Sequence, residues 1–182
     1  ALPNEPTDLL HVEMWGFTTR AGYEAWGVSK GLKVKEGLEI DDRLQIVADS
    51  AGLTEASPIP QWFEDYATEL SNLKIGIPNL CYLGVNLRQH TNQGGAVHFA
   101  PPTKPFVSLL GHFMDNRASS QRFLFADFGC EPPLCNLKAY DNKFWTKLIM
   151  TITVKAGVSF NYTNSFSPLN DRISSFQHWS NF

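Results

Sequence analysis

Charge is scarce in this chain, cysteine is scarcer, and no long apolar run occurs. Charged residues make up 18% of the 182, against ~25% in an average soluble domain. No Lys/Arg-rich arm or basic helix stands out, so the electrostatic footprint of a strong nucleic-acid binder is missing. The three cysteines, Cys81, Cys130 and Cys135, are too few and too odd in number for a disulfide framework. Reduced thiols are expected, with a small loop closed between Cys130 and Cys135 as the alternative. Nothing approaches the ~20 apolar residues of a membrane span, so no span is expected. No signal peptide is read at Ala1, which makes this a mature or excised chain.

What the chain does have is aromatic mass, with 13 Phe and 5 Trp. Abundant aromatics with few charges favour strands and extensive packing. The length suits one domain, with enough core to fold without a metal or disulfide scaffold. Residues 1–70 hold 13 acidic and 5 basic side chains, while residues 71–182 hold 5 acidic and 10 basic. The asymmetry fits an acidic face, or a polar molecule that docks head to tail on its neighbours.

Alternation of apolar and polar residues marks strands along most of the chain. Leu10, Val12 and Met14 begin one. Residues 32–35, 38–40 and 44–47 read as three more, after an aromatic, glycine-rich loop over 15–31. Then Phe63, Tyr66, Ala67 and Leu70, with Trp62, fall at helical spacing, and Glu64, Asp65 and Glu69 take the other face. One short amphipathic helix is predicted near 60–70, with Trp62 and Phe63 in the core. Strands are expected again over 73–77, through Leu83, Val85 and Leu87, and over 96–99, 106–114 and 122–128. Residues 148–155 and 158–162 form a hairpin signal. The polar tail 164–182 reads as an arm following a sandwich complete by residue 163. No internal repeat is read. The expectation is an all-β, antiparallel eight-stranded sandwich of jelly-roll type with that one helix.

The motifs do not converge on catalysis, and neither a catalytic residue nor a cofactor is expected. His90 and His98 are eight apart across a turn without a third ligand close by, so no metal site is assigned. Gly94 and Gly95 precede a strand, where a phosphate loop would need a helix. Cys81, in an apolar run, reads as a structural thiol. Asn161-Tyr162-Thr163 matches the N-glycosylation acceptor, within an expected strand. Trp15, Trp26 and Trp179 could stack on sugars or fill a core. In the tail, Phe176, Trp179 and Phe182 are spaced three apart and suit an assembly interface.

The order of elements, above all Pro58-Ile59-Pro60-Gln61-Trp62-Phe63-Glu64-Asp65-Tyr66 opening a helix after two strands, resembles the first half of a picorna-like virus capsid jelly roll. Residues 82–89, 145–155 and 158–162 would be later strands of that fold, and the length is close to that of small comovirus-like coat subunits. The resemblance implies a structural, self-assembling shell subunit. Its partners would be copies of itself and other coat subunits, viral RNA only indirectly, and a possible host receptor. It would be assembled in host cytoplasm and found in the virion. The alternative is a secreted or surface β-sandwich binding module, extracellular and possibly glycan-binding.

Overall fold

Helical period governs residues 34–50, where short windows suggested strands. Val34, Gly37, Leu38, Asp41, Leu44 and Ala48 are all buried, a spacing of three and four that lines one face of a helix. The alternation at 38–40 is a local coincidence within that longer period. The computed structural model describes residues 14–77, 81–109, 114–125, 134–155, 162–167 and 169–180. Three helices precede most of the strands: α1 (Arg20–Ser29), α2 (Val34–Ser50) and α3 (Gln61–Lys74). The 15–31 stretch expected as loop contains β1 (Met14–Phe17) and α1, whose Thr19 cap accepts from the Gly22 amide at 3.2 Å. The helix predicted near 60–70 is present and runs on to Lys74, into residues expected to start a strand.

The remaining strands are β2 (Tyr82–Arg88), β3 (Val97–Ala100), β4 (Phe106–Ser108), β5 (Ser120–Phe125), β6 (Leu134–Tyr140), β7 (Leu148–Lys155), β8 (Tyr162–Thr163) and β9 (Ser175–Trp179). They form two antiparallel sheets, ordered β1-β7-β6-β9-β4 and β3-β2-β5-β8. The orders match when β2, β3, β4 and β5 are laid on β6, β7, β8 and β9. Each half is a four-strand motif whose third strand has crossed to the other sheet. This interlocked duplication is a β-sandwich, and its strand order is not the jelly-roll order expected. Nine strands and three helices stand where eight and one were expected, among the described residues.

The larger sheet is the middle of three layers. One face packs on the smaller sheet through Val85, Leu87, Phe123, Leu137, Ile152 and Phe176. Its other face carries the helices, with Leu44, Phe63 and Ala67 against Phe106, Tyr140, Trp145 and Trp179. β9 therefore lies inside the larger sheet, between β6 and β4. The segment expected as an arm supplies this strand, and Phe176 and Trp179 are buried in the chain's own core. Phe182 lies outside the described residues, as do Asn161 and most of the expected 158–162 strand.

Cys81 is disulfide-bonded, so the all-reduced expectation does not hold. Cys135 is free and buried, and thus closes no loop with Cys130, which is outside the described residues. Burial pushes the Cys135 thiol far above its ordinary range. In β2 the register shifts beside Gly84, whose φ is 115°. A Cβ there would sit 2.2 Å from the Ala100 carbonyl oxygen, so only glycine fits this bulge.

The two aromatics at the start of α3 part ways. Phe63 is fully buried and Trp62 is 50% exposed, because one residue turns a helix by about 100°. Phe63→Ala is expected to cost about 3–5 kcal/mol, as large-to-small changes of core aromatics do. Trp62→Ala should stay within about 1 kcal/mol. Urea denaturation of both variants checks the contrast, and equal losses would contradict it.

Candidate functional site

A six-residue pattern occurs twice, once ahead of the last strand of each motif. Asp115-Asn116-Arg117-Ala118-Ser119-Ser120 enters β5, and Asn170-Asp171-Arg172-Ile173-Ser174-Ser175 enters β9. The first falls between the strands expected over 106–114 and 122–128, and the second within the expected arm. The fold brings them face to face, and the contacts between them are reciprocal. The Asn116 amide donates to the Ile173 carbonyl at 3.0 Å, and the Asp171 amide to the Ala118 carbonyl at 3.2 Å. Ser119 Oγ donates to Asp171 Oδ1 at 3.3 Å, and Ser174 Oγ to Asn116 Oδ1 at 3.1 Å.

The same symmetry anchors each turn. The Ser119 amide donates to the carbonyl of Arg88 at the end of β2, and the Ser174 amide to that of Tyr140 at the end of β6. Two residues further on, the His90 carbonyl accepts from Ser120 Oγ and the Asn142 carbonyl from Ser175 Oγ. Asn116 and Asp171 both sit at positive φ, 54° and 62°. Asn and Asp tolerate that left-handed region better than other side chains, which accounts for their place in both turns.

Two buried oxygens in this arrangement have no hydrogen-bond partner, Asp115 Oδ1 and Asn170 Oδ1. They occupy the equivalent first position of each pattern. Unpaired buried oxygens are uncommon enough that each asks for a water or an ion. Beside Ser119 and Asp171 opens a polar depression of about 590 Å³, lined also by Gln89, His90, Thr91, Asn116 and Arg117.

The two halves differ in charge. The Ser119–Asp171 pair includes a carboxylate, whereas the Ser174–Asn116 pair is neutral. Asp141, next to the second pair's anchor Asn142, is spoken for. Arg172 lies 2.9 Å and Lys147 3.2 Å from its carboxylate. The hydrogen bond from Arg172, aided by Lys147, holds that carboxyl below the usual range.

Among the described residues, no three His, Cys, Asp or Glu side chains converge as metal ligands. His90 lies at the depression, while the His98 ring packs edge-on to Phe176 at 6.3 Å, so the two do not form a pair. A third histidine, His178, is buried between Tyr82 OH and the Lys104 carbonyl, each at 2.7 Å. Burial pushes it down to about 4, so it is neutral at physiological pH. Trp26 and Trp179 fill the core, and Trp15 packs 5.4 Å from Trp26.

No family model matches the chain, and no curated protein matches it either. Some solved structures are similar. The N-terminal domain of Protein S is 17% identical over 53% of this chain and 96% of its own, with a TM-score of 0.37. A structure described as bearing on the evolution of the eye lens βγ-crystallin domain fold is 18% identical over 56% of this chain and 90% of its own, at 0.38. A mutant of a βγ-crystallin domain from Clostridium beijerinckii is 17% identical over 53% of this chain and 97% of its own, at 0.37. The sandwich rests on the chain's own strand order.

Chemically, the paired turns offer hydroxyl, carboxylate, amide and backbone carbonyl oxygens and no soft donor. Such a set suits a hard cation, for which calcium takes 6–8 oxygens of mixed kind at ~2.3–2.6 Å. Two oxygens ~3 Å apart can both reach one such ion, and the Ser–Asx pairs are spaced at 3.3 and 3.1 Å.

Proposed function

We propose that the chain is a β-sandwich binding module whose paired turns hold a divalent cation of the calcium type, and that it is not a catalyst. The reciprocal Ser–Asx oxygen pairs carry this reading. Ser119 and Asp171 would hold the first ion, helped by carbonyls of the same depression, and Ser174 and Asn116 the second. Bound there, an ion supplies a cross-link between the start of β5 and the turn before β9, tying the two motifs together. Phe176 and Trp179, two of the tail aromatics on which shell assembly would depend, lie in the chain's own core, which favours the binding module over the shell subunit. An extracellular location goes with this reading. The disulfide at Cys81 suits an oxidising compartment, and extracellular modules work with calcium at roughly 0.1–1 mM.

Because an ion that binds only the folded state stabilises it, calcium should raise the melting temperature in a saturable way. Magnesium should do so less, since it demands a tighter octahedral shell. The first site should be the tighter, because its Ser–Asx pair is the one that includes a carboxylate. Asp171→Asn should weaken calorimetric calcium binding by on the order of tenfold or more, and Asn116→Ala should remove only a weaker event. A melting temperature unmoved by roughly 10 mM calcium, well above such affinities, would sink the proposal.

A further inference from the structure

The larger sheet has the helices on one face and the smaller sheet on the other, and among the described residues no layer covers the outer face of the smaller sheet. Its side chains form a row across all four strands. Phe99 stands opposite Asn86, Asn86 opposite Arg122, and Arg122 opposite Tyr162. The Arg122 guanidinium lies 4.9 Å over the Tyr162 ring, and Arg88 follows Asn86 on the same face. Phe99 is half exposed. None of the four strands contains an Asp or Glu, and among the described residues no salt bridge engages Arg88 or Arg122. A basic, aromatic face on a chain of net charge −3 is built for something acidic.

The same molecule carries the complement. Trp62, Asp65, Glu69 and Leu73 are all exposed on α3, at spacings that place them on one stripe. Trp62 and Leu73 are 50% and 84% exposed, large values for such side chains. The stripe runs apolar, acid, acid, apolar for roughly 16 Å, at 1.5 Å per residue. The sheet row runs aromatic, polar, basic, aromatic across three strand spacings, roughly 14 Å. We propose that α3 of one copy docks across the outer face of the smaller sheet of a second copy, with Glu69 and Asp65 over Arg122 and Arg88 and with Trp62 and Leu73 against the ends of the row. The two patches lie in different layers of the molecule, so the contact is heterologous and head to tail, and it extends into chains or rings.

Sedimentation velocity over a concentration series tests it. The wild-type chain should associate at low salt, and association should weaken as salt rises from ~50 to ~500 mM. Glu69→Arg and Arg122→Glu should each weaken self-association by on the order of tenfold. Mixed together they should regain association, because the unaltered helix of one meets the unaltered sheet of the other and the two reversed charges complement each other at the remaining contact. Both positions are exposed, and unchanged melting temperatures would show that the variants fold. Trp62→Ala and Phe99→Ser are the substitutes if either does not. A chain that stays monomeric throughout, or variants that associate like wild type, would overturn the proposal. So would capture of a monomeric chain by heparin that Arg122→Glu abolishes, which would give this face to an anionic polymer.

Discussion

Replacing Lys138 by methionine is expected to cost about 3–5 kcal/mol, the loss found when one member of a buried ion pair is removed. Lys138 projects from β6 toward α2 with its ammonium fully buried. Nζ donates to Asp41 Oδ1 at 2.8 Å and to the Gly37 carbonyl at 2.8 Å, and it lies 5.5 Å from the centre of the Trp179 ring. Tyr140 OH donates to the same Asp41 oxygen at 2.7 Å. Methionine fills the stem's volume but leaves the Asp41 carboxylate buried beside a single phenol. The second substitution is the informative one. Lys138→Met with Asp41→Leu should recover most of the loss, because neither charge then needs water. Urea denaturation of both variants measures this. A single variant within about 1 kcal/mol of wild type would mean that water reaches Asp41.

The pH dependence of that pair has a definite sign. Burial is the leading influence on both members, raising Asp41 above the usual carboxylate range and lowering Lys138 below the usual lysine range. A raised carboxyl means that the folded state keeps its proton longer than the unfolded chain. Asp41's contribution is therefore fully present below the ordinary carboxylate range and is lost as pH rises from there through the raised folded value. For a lowered lysine, the contribution is present above the ordinary lysine range and is lost as pH falls from there through the lowered folded value. Both act against the charged pair near neutrality. The double apolar variant should accordingly show a flatter stability profile on both flanks and should come close to wild type at pH 7.

Strands such as β7 were legible because Leu148, Met150, Ile152 and Val154 alternate without interruption. The helical layer was less so. Over 38–40 a helix and a strand give the same short pattern, and the difference emerges only when Val34, Asp41 and Ala48 are included. β9 hid for another reason. Ser175, Gln177 and His178 make it read as a polar tail, yet it is buried on both faces. The helical layer supplies the partner that makes this possible, with Gln177 Nε2 donating to Ser71 Oγ at 3.2 Å. A strand whose partners come from another layer carries no apolar signature on that side. The paired turns were present in the sequence, but they lie far apart along the chain and their first two positions exchange Asp and Asn. Only the crossing of the third strands shows that they meet.

Trp145→Ala should unfold the contact between the helical layer and the sandwich, at a cost of about 3–5 kcal/mol. The indole is fully buried. It stacks on Phe63 of α3 at 5.7 Å and 13°, and meets Phe106 of β4 edge-on at 5.4 Å. Its Nε1 donates to the Val107 carbonyl at 3.2 Å, and its amide to Ser175 Oγ at 3.2 Å. Trp145→Phe keeps most of the stacking and loses only the indole's hydrogen bond, for roughly 0.5–1.5 kcal/mol. The backbone adds a test that packing alone would not pass. Trp145 has φ at 57°, a left-handed value that is strained for any side chain and free for glycine. Glycine is ordinarily worse than alanine by roughly 0.5–1 kcal/mol; here Trp145→Gly should be as stable as Trp145→Ala or more so. Thermal and urea unfolding of the three variants give the order. A glycine variant clearly weaker than alanine would mean that the turn relaxes out of its left-handed conformation once the indole is gone.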